Sequence, residues 1–288
     1  MQAADKCVML LSYTKTRAER MNITMAELNE VKKIKLFLLD MDGTFYLDDH
    51  LLPGARELLE LEKEGNFSTL FLTNNSSRST LDYVARLAKL GVEVPPEKIL
   101  TSGEASIRYM KRENWPSRIL LIGTPSLEQQ FAEAGFTLTE EDPEAVVLGF
   151  DTTLDYHKLT VLCNALRAGL PYLATHPDCN CPVQGGYIPD IGAMIAFAEA
   201  ATGRRPDVII GKPNAGIAEA AAERCGVPLE AIAMVGDRLY TDIALGACGV
   251  KTVFVLSGEG TMEELPQYEV QPDWIFDNMQ GLVDALQA

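Results

Sequence analysis

Asp40 and Asp42 flank Met41 directly after a short apolar run and just before Gly43-Thr44. Residues two apart leaving an extended strand project to the same side, so both carboxylates can address one point. Two close carboxylates repel and need a cation or a shared proton. Mg²⁺ suits them, because it takes hard oxygen ligands and keeps water and phosphate oxygens in its shell. Gly43 permits a tight turn that offers N–H groups to an anion. Two further acids, Asp237 and Asp242, lie in Gly236-Asp237-Arg238-Leu239-Tyr240-Thr241-Asp242. Thr73-Asn74-Asn75 supplies a hydroxyl and consecutive N–H groups that could hold phosphate oxygens. Lys212, in Gly211-Lys212-Pro213-Asn214, adds a cation beside a helix start, with Pro213 at a suitable first position. Each piece also has a plainer reading: an Asp-Gly turn, an Asn-rich turn, a solvated lysine, an N-capping aspartate. Taken as one constellation, they suit phosphoryl transfer.

The surrounding elements decide between these readings. Short apolar runs at 34–39, 69–72, 119–122, 145–148, 172–174, 208–210, 232–235, 250–256 and 274–276 read as strands. Amphipathic stretches at 54–65, 80–90, 103–112, 156–168, 193–201 and 215–225 read as helices, several closed by glycine. Residues 176–192, rich in Pro, Gly, Asp and Cys, read as a long loop. Alternating strands and helices predict an α/β fold with a doubly wound parallel sheet covered on both faces. Ligands bind such sheets beyond the carboxyl ends of the strands. Four apolar runs end at or just before Asp40, Thr73, Lys212 and Asp237. For four plain readings to coincide there, in order, is a poorer explanation than one shared site.

Composition narrows the partners. The 288 residues carry 41 acidic against 25 basic side chains, a net charge of −16. Such a surface repels nucleic acid and anionic membranes, so neither is expected as a partner, and an anionic substrate needs a locally positive pocket. Mean hydropathy is +0.01, and no apolar run approaches the ~18 residues of a membrane span. The apolar patch at 7–11 lacks the features of a secretory leader. Six scattered cysteines, with Cys179 and Cys181 too close for a usual zinc pair, read as reduced thiols of a cytoplasmic protein.

The ordered set Asp40-x-Asp42-Gly43-Thr44, Thr73, Lys212 and Gly236-Asp237 with Asp242 resembles the haloacid dehalogenase superfamily. Leu72-Thr73-Asn74-Asn75-Ser76, Thr101-Ser102-Gly103 and Gly211-Lys212-Pro213 are similar to its class IIA, NagD-like, 4-nitrophenylphosphatase-type members. The resemblance runs from about Ile34 to the C-terminus. It implies a Rossmann-like core at 34–114 and 207–288, an inserted α/β cap at 115–206 and an N-terminal extension at 1–33. The 139 positions between Thr73 and Lys212 leave room for that insertion. It further implies a Mg²⁺-dependent phosphatase acting on a small-molecule phosphomonoester, a sugar phosphate or similar metabolite. Asp40 would be the nucleophile and Asp42 the acid and base. Asp40, the Asp42 carbonyl and Asp237 would hold the metal; Thr73, Asn74, Asn75 and Lys212 would hold the phosphoryl oxygens. Asp242 would orient Lys212 or a metal-bound water, and cap closure would exclude bulk water.

The cap loop at 175–182 matches the family loop that contacts the organic part of the substrate, and Asp178 is its candidate specificity residue, a turn-stabilising Asp being the alternative. His176 reads as a polar loop residue. Cys181 stands where pyridoxal phosphate phosphatases carry His, which weakens that substrate, and Tyr240 replaces a more typical polar residue. A homodimer through the cap is common in the family. Phosphomutase and phosphoglycolate- or pyridoxal phosphate-type phosphatase are the alternatives within the family. A receiver-like phospho-acceptor domain is the alternative outside it.

Overall fold

Leu36–Leu39 form the first strand, β1, and all four side chains are buried. Phe37 and Leu39 join one hydrophobic cluster, and Leu36 and Leu38 join another. A strand without polar alternation is therefore one that is covered on both faces. The computed structural model describes residues 29–183 and 185–288. After β1 come the short hairpin β2 (Tyr46–Leu47) and β3 (His50–Leu51), α1 (Ala55–Glu62), β4 (Ser68–Thr73) and α2 (Thr80–Lys89). Then follow β5 (Ile99–Thr101), α3 (Ser102–Arg112), β6 (Arg118–Ile122), α4 (Pro125–Glu133), β7 (Thr137–Leu138) and β8 (Ala145–Leu148). The middle of the chain adds α5 (Tyr156–Arg167), β9 (Tyr172–Ala174), β10 (Asn180–Val183), β11 (Gly186–Pro189), α6 (Ile191–Thr202) and β12 (Val208–Ile209). Last come α7 (Ala215–Cys225), β13 (Ile232–Gly236), β14 (Lys251–Val255), β15 (Trp274–Phe276) and α8 (Met279–Gln287).

Two parallel sheets result, as the α/β expectation requires. The larger has the order β15-β14-β13-β1-β4-β5, and the smaller β12-β9-β8-β6-β7. β1 lies centrally, pairing Leu39 with Val235 on one side and Phe71 on the other. Strand order reverses at β1, which places a crevice at the carboxyl ends of β1, β4 and β13. One core face packs on α1 and α8 through Leu58, Met279 and Leu282. The other packs on α3 and α7 and continues without a break into the smaller sheet through Leu121, Phe131, Val147 and Leu173.

One expectation needs correction. Residues 176–192 are not wholly loop, because β10 and β11 pair there as an antiparallel hairpin. β12 pairs with β9, Val208 opposite Leu173, so it belongs to the smaller sheet and not to the core. The cap strands thus run from Arg118 to Ile209, and we propose that the cap ends near residue 210, beyond the expected 206. At the N-terminal side Val31 is fully buried in the core cluster, so the end of the 1–33 segment packs with the core. Expectations about residues 1–28 lie outside the described residues. Among the described residues no helix is long and apolar enough to cross a membrane.

Candidate active site

Asp40 continues the register of β1, its N–H donating to the Val235 carbonyl at 2.9 Å. Asp237 follows β13 in the same way, so adjacent parallel strands deliver two carboxylates to one end of the sheet. The chain then turns sharply at Gly43, where φ is +83° and a Cβ would lie 2.5 Å from Asp237 Oδ2. Glycine is required there both by backbone conformation and by the approach of that carboxylate. Thr44 Oγ1 donates to Asp237 Oδ1 at 2.8 Å, and the Glu259 N–H donates to Oδ2 at 2.8 Å. Glu259 lies in the turn after β14, a further strand end that sequence reasoning did not use. The rule that singled out Asp40 and Asp237 stops there at Ser257, whose Oγ donates to the Gly43 carbonyl at 2.9 Å.

Lys212 enters from the segment joining the two sheets. Its Nζ lies 2.5 Å from Asp40 Oδ1 and 2.6 Å from Asp242 Oδ1. Asp242 is fully buried, and its other oxygen accepts from the Arg238 N–H at 3.0 Å. The Arg238 guanidinium pairs with Glu259 at 3.0 Å. Burial works against the Lys212 ammonium, but the Asp242 and Asp40 charges outweigh it and raise its pKa. Burial, with the Asp40 and Asp237 charges, pushes the Asp242 carboxyl up to about 7 despite its lysine. Burial and then Asp40 push Asp237 up to about 6.

Asp40, Asp237 and Asp242 each offer an oxygen, all within 4.8 Å of one another. Burial raises the Asp237 and Asp242 carboxyls first, and the negative charge of the three-carboxylate cluster adds to that effect. An all-oxygen, anionic donor set of this kind fits a hard divalent cation. Asp242 is the least available of the three, since Lys212 and the Arg238 N–H already engage it.

Asp42 stands apart from the three-carboxylate cluster. Its side chain is 63% exposed, Tyr46 OH donates to it at 3.3 Å, and Arg86 of α2 lies 4.0 Å away. Arg86 also stacks over the Tyr46 ring, 4.7 Å from its centroid. The cleft walls displace bulk water from Asp42 even though its tip is open. That desolvation, and then the Asp40 charge, raise its pKa. A carboxyl whose pKa is raised is suited to donating and then accepting a proton. Tyr46 and Arg86 carried no sequence signal, because they reach Asp42 only through the hairpin and through α2.

The Thr73–Asn75 segment lies beside Lys212. Thr73 ends β4, and its Oγ1 accepts from the Asn75 N–H at 3.2 Å; Asn75 Oδ1 accepts from the Ser77 N–H at 2.8 Å. Asn74 turns its side chain to Lys212 and Asp178. Asp178 thus joins the core residues, whereas Asn75 directs its side chain into its own loop. His176, read from sequence as a polar loop residue, is fully buried and lies 3.0 Å from Asp190 Oδ1. A cleft of about 500 Å³ is lined by Asp178, Cys179, Asn180 and Tyr187 of the cap, and by Tyr240 and Glu259 of the core. The Tyr240 hydroxyl donates to Glu259 at 3.1 Å.

Residues 37–137 match the family of haloacid dehalogenase-like hydrolases, and residues 209–282 match a related family of HAD-like hydrolases. A dihydroxyacetone phosphatase of Corynebacterium glutamicum is 33% identical over 249 residues, covering 86% of this chain and 90% of that protein. The crystal structure of a 4-nitrophenylphosphatase from Thermotoga maritima superposes with a TM-score of 0.86 at 49% identity, over 90% of this chain and 99% of that one. A glycerol phosphate phosphatase from Mycobacterium tuberculosis, solved in complex with calcium, gives 0.81 at 30% identity, over 88% of this chain and 76% of that one.

Proposed function

The chain belongs to the haloacid dehalogenase-like hydrolases as one of their phosphatases, and we propose that it hydrolyses small sugar or polyol phosphates through a phosphorylated Asp40 with Mg²⁺ as cofactor. The observation that carries this reading is the convergence of Asp40, Asp237 and Asp242, with the buried Lys212 ammonium bonded to Asp40 and Asp242. A carboxylate that must attack phosphorus needs its own charge held in place and the negative charge of the phosphoryl oxygens offset. Lys212 serves both needs, lying 2.5 Å from Asp40 Oδ1 and hence beside any phosphoryl group joined to Asp40.

In the first step an Asp40 oxygen forms a bond to phosphorus while the bond to the ester oxygen breaks. Asp42 gives its proton to that oxygen, and the product leaves as an alcohol. In the second step Asp42, now a carboxylate, takes a proton from water as the water oxygen attacks the same phosphorus. Asp40 is released and inorganic phosphate departs. Tyr46 and Arg86 hold Asp42 where the leaving oxygen and the incoming water must pass. Asp40, Asp237 and the Asp42 carbonyl would hold Mg²⁺, which when bound neutralises charge on the transferring group. Thr73 and backbone N–H groups near Asn74 would hold the remaining oxygens. Asp178 and the cap face of the cleft would meet the organic part, and about 500 Å³ suits a small metabolite.

The test is phosphate release across sugar phosphates, glycerol phosphate, phosphoglycolate, pyridoxal phosphate and nucleotides, each with and without Mg²⁺. Turnover should need Mg²⁺ and vanish in Asp40→Asn. Rapid acid quench should trap a hydroxylamine-sensitive phosphoprotein in the wild type alone. Phosphate transfer without net release would point to a mutase, and a stable phosphoprotein without turnover to a receiver.

A further inference from the structure

Asn74 occupies a junction of three segments distant in the chain. Its Oδ1 accepts from the Lys212 N–H at 2.8 Å, and its Nδ2 donates to the Lys212 carbonyl at 3.0 Å. The same Nδ2 lies 3.2 Å from both oxygens of Asp178. A side-chain amide has two donor hydrogens and one acceptor oxygen, so every group of Asn74 has a partner here. The loop after β4 is thereby tied to the Lys212 backbone and to the cap loop after β9 at once.

The Asp178 end of this tie is held firmly. The Gly192 N–H donates to the Asp178 carbonyl at 2.7 Å, and the Asp190 N–H donates to the Cys179 carbonyl at 2.9 Å. A Cβ at Gly192 would lie 2.9 Å from the Asp178 carbonyl oxygen, so α6 presses its first turn directly on the loop. His176 pins the loop from below, between Asp190 Oδ1 at 3.0 Å and Thr175 Oγ1 at 3.1 Å. The Lys212 end has equally little room, since a Cβ at Gly211 would lie 2.7 Å from Asn74 Oδ1. A buried polar network with every member satisfied moves as a unit.

We propose that Asn74 is a positioning residue that couples Asp178 in the cap to Lys212, so that an organic group held at Asp178 fixes the ammonium facing Asp40. The coupling itself is structural, and only its consequence for turnover rests on the phosphatase reading. A phosphate ester lacking a group for Asp178 would leave the tie as it stands in the ligand-free protein, and the site would favour substrates that engage both ends.

The test is a double-mutant cycle read in two ways. By amide NMR of the ligand-free protein, Asp178→Asn should shift the Lys212 amide signal in the wild type and leave it unmoved in the Asn74→Ala background. Equal shifts in both backgrounds would overturn the coupling, whatever the enzyme turns over. By kinetics on the phosphomonoester turned over fastest, Asp178→Asn should raise KM in both backgrounds but lower kcat only where Asn74 is present. The expected kcat loss is about 10- to 100-fold, the scale of a misplacement of ~1 Å at a reacting centre. The same kcat ratio in both backgrounds would refute the positioning role. Should Asn74→Ala fail to fold, Asn74→Ser keeps a polar atom beside the Lys212 backbone but is too short to reach Asp178. It should reproduce the uncoupling, and retained coupling in it would be a refutation. An intact NMR coupling without any phosphate release would sink the phosphatase reading alone.

Discussion

Lys212→Met removes one charge from a site where the structure allows its cost to be worked out. The ammonium is 3% exposed and bridges Asp40 and Asp242, and Asp242 is fully buried. Leaving a buried partner charged costs about 3–5 kcal/mol, but a proton can relieve much of it. With Lys212 present, Asp242 titrates near 7, already above its ordinary value of 3.8. Without Lys212 the folded-state pKa rises further. A raised carboxyl pKa contributes stability at low pH that is lost as pH climbs through the folded value. Below about pH 7 Asp242 is protonated with or without the lysine, so the variant should lose little through it. Above pH 7 the wild type ionises while the variant must hold its proton, at ~1.4 kcal/mol per pH unit. Lys212 itself stays charged throughout this window, its pKa being raised. The deficit should therefore grow by about 3 kcal/mol between pH 7 and pH 9. At roughly 2–4 °C per kcal/mol, the melting temperature should drop by about 6–12 °C more at pH 9 than at pH 7. The assay is thermal unfolding in a chelator, followed by circular dichroism. Lys212→Met/Asp242→Asn should recover stability at pH 9 while phosphate release stays lost. A deficit equal at both pH values would refute the assignment of Lys212 as the partner of Asp242.

Asp42→Asn should keep the fold but slow turnover by ~10²–10⁴, seen in steady-state phosphate release. Arg86→Met removes a charge that lowers the Asp42 pKa, so the pH–rate profile should shift upward; an unmoved profile would separate Arg86 from Asp42. Asp237→Ala should abolish the dependence of activity and of melting temperature on Mg²⁺, and an unchanged metal titration would exclude it as a ligand. Gly43→Ala forces a side chain into positive φ and against Asp237, so it should weaken Mg²⁺ binding in calorimetry far more than Gly65→Ala, whose added Cβ meets nothing within 4 Å.

Strand ends were legible because an apolar run that stops at a polar residue records a sheet edge. Asp40 and Asp237 follow runs whose every residue is buried, and the structure sets them side by side. Lys212 was found by the same rule for a different physical reason. The two-residue strand before it belongs to the smaller sheet, and nothing in Val208–Ile209 tells which sheet will take it. The hairpin at Asn180–Val183 and Gly186–Pro189 escaped notice because Pro and Gly interrupt it and it shows no apolar alternation. β5 holds three residues, too few for a periodic signal. His176 with Asp190, and Tyr46 with Arg86, depend on contacts that arise only when distant segments fold together.

Gly103 on α3 and Leu127 on α4 meet so closely that a Cβ on the glycine would lie 2.7 Å from the leucine Cδ1. That meeting is one stitch of an oily seam, unbroken from the catalytic body to the upper lobe. A whole lid exchanged with a cousin enzyme would leave both flanks of the seam mismatched and wet. The paired strands Asn180–Val183 and Gly186–Pro189 lie outside it and bring Asn180 and Tyr187 to the wall of the cleft. New substrate ranges are therefore best sought by grafting ribbons, with the lid left in place.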